Sequence, residues 1–472
     1  MGADLWRLSA VDLASEIARG AASASEATHS VLQRIADVNP RINAVVDVMA
    51  EQALAAANAA DAAQQRGDTL GPLHGVPITI KVNIDVAGRA TTEGVAAFKD
   101  NIAQRDSPLV ASLRNAGAII VGRTNTPAFS LRWFTDNDLH GRTLNPFDAA
   151  FTPGGSSGGA AAAVACGMGA IAHGNDYGGS IRYPAWACGV VGLRTTVGRV
   201  PSYKASGPNR TVTNQMMSVQ GPLTRTVADA RLAMQVMSCG SALDPQWVPA
   251  PLESAQAHSP CKVAVFKHHA TYDVDSGVSA SIAQAAAWLH EAGYVVEEVE
   301  PPHFEEGANL WNQLVMEDMR RGGQPAIEKL ADEGTRSALR GYMQGLKPLD
   351  ANALQEAQMR RFSILRDWAV FLERYPVLLM PNSWQRQFPV DADKAAPEQV
   401  QKLLAAQAPL LITAMLGVPG LSVPTGLVGG LPTGVQLVSW KFREDVALRA
   451  GEVIERAAGF SALARLPMHR SP

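Results

Sequence analysis

Apolar and polar positions alternate in two rhythms along this chain, and the changes of rhythm mark its elements. The first stretch has helical spacing. Ser9-x-x-Asp12 and Ser23-x-x-Glu26 resemble capping boxes, and Leu32, Ile35 and Val38 follow on one face. An Ala-rich run from Glu51 to Gln65 predicts a further helix that ends near Gly67. The rhythm then shortens. Ile78 to Val82 and Ala118 to Val121 are apolar runs flanked by Gly or Pro, which predicts buried strands. Between them Ser107 to Asn115 reads as a crossover helix stopped by Gly117, so the two strands should lie parallel.

Gly159 to Cys166 predicts an Ala-rich helix, with its positive N-terminal end towards the glycine–serine block before it. Lys262 to Phe266, the helix from Ser281 to Glu291, and Tyr294 to Glu300 form a second β-α-β pattern. Helical periodicity dominates from Ala308 to about Arg374, and Val377 to Met380 and Leu421 to Val423 read as core strands. Gln387 to Pro397 is the most loop-like internal stretch. It fits a cover over a site or a plain surface loop equally well. Neither a repeat nor a low-complexity linker interrupts the pattern, which favours one domain over residues 1–472.

Composition narrows the function without naming it. The chain has 472 residues, 47% hydrophobic and 18% charged, with a net charge of −3. That is an ordinary balance for a soluble enzyme, and the lack of a Lys/Arg stripe argues against nucleic-acid binding. Four cysteines, Cys166, Cys188, Cys239 and Cys261, form no Cys-x-x-Cys pair and predict free thiols in a reducing compartment. The N-terminus lacks a signal-peptide profile, and no apolar run reaches about 18 residues, so a cytoplasmic protein without a membrane span is expected.

The candidate chemistry lies between Gly154 and Arg182. Gly154-Gly155-Ser156-Ser157-Gly158-Gly159 is followed by Asp176-Tyr177-Gly178-Gly179-Ser180-Ile181-Arg182, so Ser156 and Ser180 each sit beside paired glycines. Such serines have a nucleophile's hydroxyl and backbone N–H groups able to converge on an oxyanion. Lys81 ends the apolar run at Ile78. Gly154-Gly155-Ser156-Ser157-Gly158 also satisfies the Gly-x-Ser-x-Gly elbow of an α/β-hydrolase-type esterase, with Ser156 as nucleophile. That motif needs an apolar strand immediately upstream, and here a Pro-interrupted loop from Asn145 to Pro153 precedes it. Gly167-x-Gly169-x-x-Ala172 follows a helix rather than a strand, unlike a dinucleotide fingerprint. Neither a Walker loop nor a His-Glu-x-x-His motif is present, and adjacent His268 and His269 make poor metal ligands, so neither metal nor cofactor is expected.

With these motifs the chain resembles the amidase signature family of serine hydrolases. Lys81 matches that family's strand-borne lysine, Ser156 the serine preceded by a cis peptide bond, and Ser180 the nucleophile 24 residues later. Thr143-x-Asn145-Pro146, Gly192-Leu193-Arg194, Gly221-Pro222-Leu223-Thr224-Arg225, Gly417-Val418-Pro419 and Gly434-Val435-Gln436-Leu437 extend the match over most of the chain. The resemblance implies an α/β fold with a single large mixed, twisted sheet flanked by helices on both faces. Within it, residues 1–70 form an N-terminal helical part, 71–235 the catalytic core and 300–410 a variable region covering the substrate. Tyr177 stands where a smaller residue is common, Thr195 where proline is frequent and Ala128 where an acidic residue often occurs.

The implied reaction is hydrolysis of small neutral or aryl amides through an acyl-enzyme, extending to esters and carbamates. Ser180 attacks, Ser156 relays the proton, Lys81 is the base, and the N–H groups of Tyr177, Gly178, Gly179 and Ser180 hold the oxyanion. Trp133, Phe134, Tyr177, Trp311, Met316 and Trp384 are expected around the substrate. Asp176 and Arg182 are read as structural, an ion pair or a hydrogen-bond frame holding the turn. No nucleic acid, membrane or cofactor partner is expected, and a homodimer is left open. The other readings are an A-type subunit of a glutamine-dependent tRNA amidotransferase and a scaffold that has lost catalysis. Intact Lys81, Ser156 and Ser180 argue against the scaffold. Burial behind Ile78, Ile80 and Val82 should lower the Lys81 pKa. Serine hydroxyls both donate and accept, so they alone do not fix the direction of its hydrogen bonds.

Overall fold

The computed structural model describes residues 4–253 and 260–465. Its first helices begin where the capping residues predicted. The Ser9 hydroxyl accepts from the Asp12 N–H at 3.0 Å, opening Ala10–Ala18. Ser23 and Glu26 bond each other's backbone N–H at 3.0 and 2.8 Å, opening Ala24–Ile42. The Ala-rich helix spans Ala50–Gln65. Among the described residues, no helix is long and apolar enough to cross a membrane.

Eleven strands form one mixed sheet: β1 (Val45–Val48), β2 (Pro77–Lys81), β3 (Ile119–Thr124), β4 (Ile171–Asp176), β5 (Val191–Arg194), β6 (Val219–Thr224), β7 (Lys262–Val265), β8 (Val295–Glu298), β9 (Val377–Met380), β10 (Gly420–Val428) and β11 (Leu431–Val438). Their spatial order is β1-β3-β2-β4-β6-β5-β10-β11-β9-β7-β8. The predicted crossover is present: helix Pro108–Asn115 joins β2 to β3, which run parallel with Lys81 opposite Thr124. β7 and β8 are likewise parallel. The helix between them starts at Ser276, five residues before the predicted Ser281, because the Asp275 carboxylate caps it through the Gly277 and Val278 N–H groups. The antiparallel centre is less visible in sequence. β6 contains Gly221 and Pro222, residues that argue against a central strand, yet it pairs with both β4 and β5.

Alternate strand residues feed different cores, so helices cover both faces. Val377 and Leu379 of β9 pack with Ile282, Leu289 and Leu448, whereas Leu378 and Met380 pack with Trp368, Trp384 and Leu410. Residues 304–416 supply most of the helical cover on the second face. The loop-like stretch after Gln387 is tied down beside the glycine–serine block. The Phe388 carbonyl accepts from Thr152 N–H at 3.0 Å, the Val390 N–H donates to the Ala150 carbonyl at 2.9 Å, and Phe388 stacks on Phe134 at 6.1 Å. Asp393 forms a bidentate pair with Arg132 at 2.6 and 2.9 Å, both side chains 0% exposed. Asp393→Ala would leave the buried guanidinium with only Asp332 and Asp136, at 3.9 and 4.0 Å, and denaturant unfolding should show a loss of about 3–5 kcal/mol. A midpoint unchanged from the parent would mean that this pair does not hold the segment.

Candidate active site

Strand order brings the separated motifs together. β2 and β4 are parallel neighbours, with Ile78 opposite Ile171 and Thr79 opposite Ala172. Their C-terminal ends therefore deliver Lys81 and the Asn175-Asp176 pair to one place. The glycine–serine block passes over that end, with a cis peptide bond between Gly155 and Ser156. Gly155 has no room for a side chain, since a Cβ there would lie 2.4 Å from the Arg132 carbonyl oxygen. Helix Gly158–Ala165 starts directly after the block and is buried along its length. The Ser157 N–H donates to the Ser180 carbonyl at 3.2 Å, which joins the two motifs.

Lys81 is fully buried, with Nζ 2.7 Å from Ser156 Oγ, 3.1 Å from Ser157 Oγ and 2.7 Å from Asn175 Oδ1. Burial lowers its pKa well below 10.5, although Asp176 and Glu93 pull the other way. Ser156 and Ser157 are buried, whereas Ser180 is partly exposed and so open to a ligand. His173 on β4 is buried and bonded to Gln220 at 2.8 Å, and burial takes its pKa down to about 3. Among the described residues, no histidine contacts Ser156 or Ser180, and no strand leads into Gly154, so the nucleophile-elbow arrangement is not formed.

The loop carrying Ser180 is held from both sides. Asp176 accepts from the N–H groups of Gly179 and Ile181 at 2.8 and 3.2 Å, from Arg182 at 2.9 Å twice, and from Arg194 at 3.2 Å. Burial opposes its charge, but the two guanidiniums hold the carboxyl well below the usual range. The structural frame expected of Asp176 and Arg182 is thus present as an ion pair, and Arg194 joins it. On the opposite side, Trp311 Nε1 donates to the Tyr177 carbonyl at 2.8 Å and Trp133 Nε1 to the Gly178 carbonyl at 3.0 Å. A trans peptide points its N–H opposite its C=O, so these indoles turn the Gly178 and Gly179 N–H groups away from themselves. A Cβ on Gly178 would meet the Trp311 ring at 2.5 Å, so only glycine admits the indole. One expectation is corrected here. The Gly179 N–H is occupied by Asp176 and is not free for an oxyanion. Among the described residues, the Tyr177, Gly178 and Ser180 N–H groups face no acceptor within the chain.

The Amidase family profile matches residues 26–448. The chain belongs to the amidase family. Indoleacetamide hydrolase of Bradyrhizobium diazoefficiens is 45% identical over 460 residues, covering 97% of this chain and 88% of that protein. The A-type subunit of glutamyl-tRNA(Gln) amidotransferase from Moorella thermoacetica is 32% identical over 97% of this chain and 98% of its own. A solved bacterial aryl acylamidase of the amidase signature enzymes superposes with a TM-score of 0.85 at 27% identity, covering 98% of this chain and 99% of its own. This amidase is accordingly a hydrolase of carbon–nitrogen bonds other than peptide bonds.

The expected pocket residues of the amidase separate into groups. Trp133, Tyr177 and Trp311 gather at the Ser180 loop, with the Tyr177 and Trp311 rings 5.9 Å apart. Met316 is buried on the same helix as Trp311, Phe304–Asp318. Phe134 lies against Phe388 and the Arg132 guanidinium. Trp384 is fully buried with Phe266, Tyr272 and Phe304 at 5.4–5.9 Å, in the same apolar core as Trp133 and Trp311. The sequence reading assigned no role to Asn175, Ser157, Thr213 or Asp318. Tyr177 and Thr213 share a hydrogen bond through their hydroxyls, and Thr213 bonds Asp318 through its hydroxyl and, at 2.8 Å, its N–H. Only knowledge of which strands pair would have signalled Asn175. Trp311→Phe keeps the ring's bulk and loses the donor to Tyr177. It should lower kcat on an aryl amide about ten- to a hundredfold with little change in KM, because it loosens the loop rather than the pocket. Steady-state kinetics check this; a rise in KM alone would make Trp311 a substrate contact.

Proposed function

We propose that this amidase is a cofactor-free serine amidohydrolase of small neutral or aryl amides, with Lys81, Ser156 and Ser180 as its catalytic residues. The observation that carries the reading is the buried Lys81 amine 2.7 Å from Ser156 Oγ, next to a partly exposed Ser180. A neutral amine in that position can act as a base, which an exposed lysine at neutral pH cannot. Ser180 Oγ attacks the amide carbon while its proton passes to Ser156 and that of Ser156 to Lys81. The Tyr177, Gly178 and Ser180 N–H groups are the donors available for the oxyanion. Return of the proton through Ser156 to the leaving nitrogen breaks the C–N bond and leaves an acyl ester on Ser180. Water then enters by the same relay in reverse, releasing the acid.

Aromatic side chains at the Ser180 loop, together with relatives named indoleacetamide hydrolase and aryl acylamidase, support an aryl acyl or aryl amine substrate. Esters and carbamates present the same carbonyl and should also be cleaved. The working protein is expected in the cytoplasm, independent of amidotransferase partner subunits. Indole-3-acetamide and an acetanilide should exceed glutamine in kcat/KM, and a serine-directed phosphonate should label Ser180. Ser180→Ala should abolish turnover and labelling while leaving the fold intact. Label on Ser156 with Ser180→Ala still active would contradict the assignment, and a preference for glutamine would favour the amidotransferase reading.

The pH dependence follows from the lowered Lys81 pKa. The ammonium form cannot accept a proton, so kcat/KM should be low in acid and rise as Lys81 deprotonates, with a midpoint below 10.5. Lys81→Ala should remove that limb and reduce amide hydrolysis about a hundred- to ten-thousandfold. Esters should lose less, since their leaving groups need less help from a returned proton. An unaltered profile in Lys81→Ala would remove lysine from the mechanism.

A further inference from the structure

A neutral amine has two N–H donors and one lone pair, whereas an ammonium has three donors. The three neighbours of Lys81 Nζ fix how these are shared. Asn175 Oδ1, 2.7 Å away, can only accept and takes one N–H in either state. Ser157 Oγ lies 3.1 Å from Nζ and directs its own hydrogen to the Asn175 backbone carbonyl at 3.4 Å. It therefore accepts the second N–H. One position on the nitrogen remains, and it faces Ser156 Oγ at 2.7 Å. In the neutral amine that position is the lone pair, so Ser156 must donate. In the ammonium it is the third N–H, so Ser156 accepts. Moving the proton changes only the Ser156 hydroxyl hydrogen and leaves every heavy atom bonded.

We propose that Asn175 is a positioning residue that, with Ser157, aims the Lys81 lone pair at Ser156 and so sets the direction of the proton relay. The proposal rests on the reading of Lys81 as the base. A carbonyl oxygen, unlike a hydroxyl, has no hydrogen to turn towards the lone pair and compete with Ser156 for it. The charged and titratable groups around Lys81 do not share this role. Asp176 is engaged by Arg182 and Arg194, Glu93 pairs with Lys204, Arg123 donates to the Lys81 backbone carbonyl at 3.3 Å, and His173 is bonded to Gln220. Among the described residues, none of these side chains hydrogen-bonds the amine.

The test is the kcat/KM pH profile for indole-3-acetamide in Asn175→Asp, Asn175→Ala and Lys81→Ala, with circular dichroism to verify folding. Asn175→Asp places a negative acceptor at the same distance, which favours the ammonium and should move the rising limb alkaline by about one unit or more. Asn175→Ala removes an acceptor that the ammonium needs more than the amine does. Its limb should move towards acid, while the plateau kcat falls about tenfold or more and KM stays within about twofold. Opposite shifts of one limb are not expected of a residue that merely packs. If the aspartate variant does not fold, the alanine variant alone decides through its acid shift. Limbs at the parent position, shifts in the same sense, or an effect confined to KM would overturn the role of Asn175. If Lys81→Ala removes the limb and the Asn175 variants do not move it, only this inference falls. If the limb persists in Lys81→Ala, the base assignment falls with it.

Discussion

A lysine amine kept out of water is the constraint around which this site is built. An ammonium buried without compensation is costly, so the group either finds partners or gives up its proton. Lys81 does both. Its three oxygen neighbours can bond either the amine or the ammonium, while burial favours the amine. The position depends on the sheet, because parallel β2 and β4 end side by side and bring Lys81 to Asn175.

The second requirement is a rigid loop around Ser180. Asp176 meets it from below, with a charge compensated by Arg182 and Arg194, both of which reach on to more distant parts of the chain. Arg182 donates to Gln436 at 2.6 Å and to the Leu410 carbonyl at 3.0 Å, and Arg194 donates to the Met217 and Val418 carbonyls at 2.8 and 3.1 Å. From above, two indoles hold successive carbonyls. One comes from residue 133, in the segment that packs on the block, and the other from the helix covering the sheet. Loop, block and cover are therefore tied to one another by these bonds.

Local signals in the sequence were legible where local physics decides. Ser9, Ser23 and Glu26 cap helices as their spacing predicts, and the crossover between β2 and β3 follows from two apolar runs and a helix. The glycine–serine motifs, singled out for paired glycines beside two serines, do come together with Lys81 in the fold. Pairing between distant strands was not legible. β6 was hidden by Gly221 and Pro222, and β4 begins just after a glycine turn, so the contact of Asn175 with Lys81 could not be read from spacing. Composition could not say which neighbours Trp384 has, and it packs with Phe266, Tyr272 and Phe304. At Gly179 the motif matched, but its N–H is taken by Asp176, a partner three residues away whose orientation the sequence leaves open.

For Lys81 to serve as the base, it must be a neutral amine while the protein is folded and active. Side-chain nitrogen NMR of lysine-labelled protein, with Lys81→Met to assign the signal, measures this without reference to any substrate. The Lys81 resonance should pass from ammonium to neutral amine well below 10.5, in the range where activity rises. An ammonium resonance persisting up to the ordinary lysine range, in fully active protein, would contradict the base assignment.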